Sequence, residues 1–96
     1  MPSALDELPH YCAGWGGVPC GDVEGERFVQ ALWYVTKHTD ATFRVLACGL
    51  YRVDEETFAL RIFRNDKPYR RITGGRAWLE AQAVEKWRAL LEQGWA

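Results

Sequence analysis

Two of the three cysteines and one of the two histidines stand together in PHYCAGWGGVPCGD, residues 9–22. They are the side chains in this chain best equipped for chemistry. His10, Cys12, Cys20 and Asp22 offer metal donors, the two thiols could close a loop, and either could act as a nucleophile. Structural zinc sites pair their cysteines two to four residues apart. Here seven residues separate Cys12 from Cys20. The other soft donors, His38 and Cys48, fall in segments read as regular structure, so no metal is expected. No signal sequence is visible and the number of cysteines is odd, which points to a reducing, cytoplasmic setting with free thiols rather than a Cys12–Cys20 bridge. A reactive thiolate needs a base or a positive field. The first 28 residues instead hold Asp6, Glu7, Asp22, Glu24 and Glu26 against Arg27 alone. Catalytic residues and cofactors are therefore expected to be none, with a thiol enzyme using Cys12 or Cys20 as the third alternative. Cys48 reads as a small buried hydrophobe.

The run HYCAGWGGVPCGDVEGERFVQAL, about a quarter of the chain, resembles the segment leading into the catalytic helix of papain-like peptidases. In that family a glycine-rich approach ends in an Asp-Cys pair, and a downstream strand supplies a histidine base. The resemblance implies thiol chemistry at a helix start, but Asp22 is followed by Val23, Cys20 precedes the aspartate, and no histidine occurs after His38. Neither nucleophile nor base carries over. The segment is read as an irregular arm that presents Tyr11 and Trp15, residue types that commonly anchor interfaces.

The second constellation is basic. RIFRNDKPYRRITGGR, residues 61–76, sets six arginines and lysines against Asp66 and interleaves them with Phe63 and Tyr69. Arg64, Lys67, Arg70 and Arg71 are the candidate contacts for a partner. Guanidinium forks match phosphates and aromatic faces stack on unpaired bases, so an RNA- or DNA-binding module is the second alternative. The α–β–β–β–α order expected below resembles that of double-stranded-RNA-binding domains. That family gathers lysines where its final helix opens, whereas this chain has only Arg76 there, with Glu80 one turn on. Cations along an edge hairpin also discourage edge-to-edge aggregation. A basic hairpin beside an acidic arm suits a charged protein partner or a second copy of the chain.

These residues need a scaffold, and the chain can build one. At 96 residues and 11.0 kDa, with 48% hydrophobic and 26% charged residues, it is sized for one globular domain. Thirteen aromatic rings allow a compact core without staples. The near-neutral net charge of −1 argues against a protein that coats polyanions. Residues 1–24, with three prolines and four glycines, read as the irregular arm, including one helical turn at SALDEL. Residues 25–96 read as one α+β domain. Phe28, Leu32 and Val35 recur at helical spacing and predict a helix over 25–39, although Val29, Ala31, Trp33 and Val35 also alternate as in a strand. Strands are predicted over 41–53, 57–63 and 69–72, with Asn65-Asp66 as a tight hairpin loop and Gly49 marking a bulge or close approach. Ala83, Val84, Trp87, Leu90 and Leu91 predict a final helix stopped at Gly94. The expected architecture is a three-stranded antiparallel meander covered on one face by helices, with Trp95 at its end as a further contact residue.

The expected function is that of a small, non-enzymatic binding protein. It would occlude or bridge a larger macromolecule, as accessory or inhibitor proteins of bacteria and their phages do against host defence complexes. The partner-binding residues are expected to be Tyr11, Trp15, Arg64, Lys67, Arg70, Arg71 and Trp95. The partner is expected to be a protein or a second copy, with nucleic acid as the alternative and no membrane.

Overall fold

A computed structural model describes residues 21–96. Tyr11, Trp15, Cys12, Cys20, His10 and the helical turn expected at residues 3–8 lie outside the described residues. The elements are β1 (Arg27–Thr39), β2 (Thr42–Arg52), β3 (Phe58–Arg64), β4 (Lys67–Gly74) and α1 (Arg76–Glu92). The four strands form one antiparallel sheet in sequence order. The order is therefore β–β–β–β–α, and the helix predicted over 25–39 is corrected to a strand.

The cause of that misreading is local. Register shifts at Phe28/Gln30 and Ala31/Trp33 place Val29 and Leu32 at bulges in β1. Each bulge adds a residue and resets the two-residue alternation. Phe28, Ala31 and Tyr34 consequently share one face, while Val29, Leu32, Trp33 and Val35 share the other. Steps of three and four residues thus arise in a strand. The content of β-branched and aromatic residues (Phe28, Val29, Trp33, Tyr34, Val35, Thr36) is what a pleated, half-buried surface favours.

The remaining strands follow their sequence. Leu46, Cys48 and Leu50 of β2 and Leu60 and Ile62 of β3 face α1, which buries Leu79, Ala83 and Val84 against them. Trp33 lies in the same layer, 1% exposed, and its indole N–H donates to the Ala83 carbonyl at 2.9 Å. Trp87 and Leu90 pack at the margin. Leu79 thus belongs to the buried stripe, whereas Leu91 remains exposed. Full burial of each such aliphatic side chain contributes about 1.5–3 kcal/mol. Cys48 is buried here, and burial pushes its thiol well above the usual range.

The sheet's other face is also apolar at its centre. Ala31, Ala47, Tyr51, Ala59 and Phe63 form a second buried cluster, with Tyr51 edge-on to Phe63 at 6.3 Å and to Phe28 at 5.7 Å.

Turns fix the strands' relative positions. Asn65 and Asp66 both take positive φ, 49° and 68°, the two-residue turn whose twist matches antiparallel strands. Asn65 also docks on β2. Its N–H donates to the Val45 carbonyl at 3.0 Å, and its Oδ1 accepts from the Val45 N–H at 2.9 Å. Asp54 organises the β2–β3 loop by accepting from the N–H groups of Glu56 and Thr57, which hold its carboxyl below the usual range. At the helix end Gly94 adopts φ +93°. The Trp95 N–H donates to Leu90 O at 3.0 Å and the Gly94 N–H to Leu91 O at 3.1 Å. That pair of bonds is the Schellman motif. Beyond it, Ala96 exchanges both backbone bonds with Thr36 of β1. No helix among the described residues is long and apolar enough to cross a membrane.

Candidate binding surface

The basic segment folds as the β3–β4 hairpin, and the fold divides its cations into two groups. Side chains alternate along a strand, and β3 turns Leu60 and Ile62 toward α1 and Arg61 and Phe63 away. Arg61 is therefore buried on the far face, 5% exposed, with its guanidinium 5.8 Å from the Tyr51 ring. Arg71 lies opposite it in the register. Both meet Glu26, which is 6% exposed. Arg61 Nε donates to Glu26 Oε1 at 2.7 Å and Arg71 Nη2 donates to Glu26 Oε2. Glu24 receives Arg61 Nη2 at 3.3 Å.

The chain before β1 delivers these acids through a tight turn. Glu24 and Gly25 take φ 51° and 83°, and Val23 and Glu26 exchange backbone bonds at 2.9 Å. Positive φ at both central positions is the geometry that glycine tolerates best. The Arg71 hydrogen bond, then that of Arg61, holds the Glu26 carboxyl below its ordinary value against the opposing effect of burial. Glu26 in turn raises Arg71. Among the described residues every buried side-chain nitrogen and oxygen has a hydrogen-bond partner.

Arg64, Lys67 and Arg70 form the other group. All three are exposed, and none makes an ion pair among the described residues. Lys67 pairs with Arg64 across the hairpin, and Arg64 and Arg70 flank Tyr69, which is 48% exposed. The Arg64 and Arg70 guanidiniums lie over its ring at 5.8 and 5.4 Å from the centroid. Tyr69 gains this position from a register shift, since Ile62 pairs with Arg70 but Phe63 with Pro68. On the α1 side, Tyr69 and Arg70 form one wall of a groove of about 340 Å³ that reaches Trp33, Leu46 and Ile62 and is closed by Lys86, Ala89 and Leu90.

The expected contact residues thus have separate placements. Arg64 and Arg70 converge on Tyr69 and Lys67 lies opposite Arg64, Arg71 is engaged by Glu26 on the far face, and Trp95 is half-buried against the core next to Leu90. Charge alternation along residues 61–76 treats Arg61 as a wet-face residue and is corrected by its burial. Tyr69 and Lys86 were not among the expected contacts. For Tyr69 the signal was present, an aromatic between Lys67 and Arg70. For Lys86 it was not, because its proximity to the hairpin arises only when α1 crosses the sheet. No group of three or more His, Cys, Asp or Glu side chains suited to a metal ion occurs among the described residues. Compared with known protein families, curated proteins and solved structures, the chain matches none.

Proposed function

We propose that this is a small, non-enzymatic binding protein whose β3–β4 hairpin engages an acidic macromolecular partner and occludes or bridges it. The observation that carries this reading is the exposed trio Arg64, Lys67 and Arg70 at the hairpin end, with Arg64 and Arg70 over half-exposed Tyr69 and none of the three in an ion pair among the described residues. A two-residue turn and the Asn65 bonds to β2 hold the hairpin rigid, so little order must be acquired on binding. Tyrosine and arginine are the residue types that dominate interface energetics. A protein partner is favoured over unpaired nucleic acid because two guanidiniums already lie over the Tyr69 ring, and base stacking would displace them. Action in the cytoplasm as an accessory or inhibitor protein, for example against a host defence complex, fits such a surface.

The test is affinity capture on immobilised protein, with and without nuclease, using wild type and a variant carrying Arg64→Glu, Lys67→Glu and Arg70→Glu. The reading expects a protein retained after nuclease treatment by wild type and lost from the variant, with identical circular dichroism. Retention by both overturns the hairpin as the contact. Loss on nuclease treatment alone transfers the assignment to nucleic acid.

A further inference from the structure

We propose that the groove between the C-terminal half of α1 and the β3–β4 hairpin receives an acidic, apolar peptide segment of the partner. One large apolar side chain would lie on the floor and carboxylates would meet Arg70 and Lys86. This rests on the hairpin being the partner-binding surface and names the chemistry of what it recognises. The floor is Trp33, Leu46 and Ile62, each under a tenth exposed, with half-buried Leu90 beside them. Such a floor rewards an apolar side chain by the water it releases. Among the described residues, Arg70 and Lys86 are the basic side chains of the lining, and no acidic side chain contributes to it. The site therefore complements carboxylates and disfavours a purely basic or neutral segment. Ligand pockets run from about 300 to 1,000 Å³, and about 340 Å³ is at the small end. That volume suits one or two side chains rather than an extended cofactor.

The groove is also continuous with the hairpin's exposed cations. Arg70 belongs to both, its guanidinium 5.4 Å from the Tyr69 ring centroid, and Tyr69 itself forms part of the groove wall. A segment crossing from the hairpin onto α1 would meet positive charge first and apolar surface next. Acidic side chains would fix its direction, and the apolar one would fix its register.

The probe is a short fluorescein-labelled peptide with a leucine–phenylalanine pair flanked by glutamates, compared with a version in which glutamines replace the glutamates. Binding is read by fluorescence anisotropy, and the site is read by NMR through the Trp33 indole and Leu90 methyl signals. Lys86→Glu and Ala89→Glu place negative charge in the groove at exposed or half-exposed helix positions, where glutamate is a good helix former. The glutamate peptide is expected to bind and to shift the Trp33 and Leu90 signals. Each groove variant and the glutamine peptide should weaken binding about tenfold or more. Equal binding of the glutamine peptide, indifference to Ala89→Glu, or binding of oleate without binding of the peptide each overturns the inference. Arg64→Glu and Lys67→Glu separate it from the reading above, since neither side chain lines the groove. A captured partner sensitive to those two but not to Ala89→Glu leaves the hairpin standing and removes the groove. The opposite pattern removes the hairpin.

Discussion

Replacing Glu26 with glutamine removes a carboxylate from under Arg61 while keeping the side chain's shape. The Arg61 Nε–Glu26 Oε1 contact is 2.7 Å, and the two side chains are 6% and 8% exposed. Arg61 therefore cannot recover water when its partner loses charge. Breaking a buried pair from one side costs about 3–5 kcal/mol. Glu24 stays 3.3 Å from Arg61 Nη2, but its side chain is 74% exposed, so it returns no more than a surface pair's ~0–1 kcal/mol. The Arg71 side chain, 44% exposed, keeps access to water and adds little to the loss. The expected destabilisation is about 3 kcal/mol, a large share of the ~5–15 kcal/mol that holds a domain folded. It should lower Tm by roughly 12–24 °C.

Urea unfolding at neutral pH measures that loss, and acid supplies a second signature. The folded-state value of Glu26 lies below its ordinary 4.5. Its contribution is therefore complete above that pH and lost as pH falls through the lower folded-state value. Glutamine has no such proton to gain. The stability gap between wild type and variant should narrow as the solution is acidified below about pH 4.5. A loss under about 1 kcal/mol at neutral pH, or a gap that stays constant in acid, would refute the claim that this cluster is a buried, charged tie between the leading segment and the sheet.

Other expectations are local. Gly94→Ala should cost about 1–2 kcal/mol, because the residue sits at φ +93° although only the Lys37 Cε, at 3.9 Å, lies near the added Cβ; thermal unfolding measures it. Asp66→Gly should leave stability unchanged or raise it by about 0.5 kcal/mol, whereas Asp66→Val should lower it by about 1–2 kcal/mol, since φ 68° tolerates glycine and not a β-branched residue. Cys48, fully buried with its thiol raised, should label with iodoacetamide only as fast as the protein unfolds, and rapid labelling of the native state would contradict its placement.

How far the fold could be read depended on whether each contact was local. β2 and β3 announced themselves by alternation, β4 by the Asn65-Asp66 turn before it, and Gly94 marked the end of α1, because turn chemistry and strand period are written within a few residues. β1 defeated that reading since its two bulges imitate helical spacing. The Glu26–Arg61 pair spans 35 positions, so a charge count over residues 61–76 could not show that Arg61 and Arg71 are already engaged. The same count did expose Arg64, Lys67 and Arg70. The groove was invisible for a different reason. Its walls come from β1, β2, β3, β4 and α1 together, and only the packed structure brings Lys86 to the hairpin.

The division of the arginines is tested most directly by the affinity for the captured partner. It should be measured at about 0.05 M and about 0.5 M salt, where screening lengths differ several-fold. Wild type is compared with the Arg64→Glu, Lys67→Glu, Arg70→Glu variant. The wild-type affinity should fall steeply with salt, and the variant should bind at least about tenfold more weakly at low salt. Equal affinities with the same salt response would mean that the hairpin's exposed cations take no part in binding.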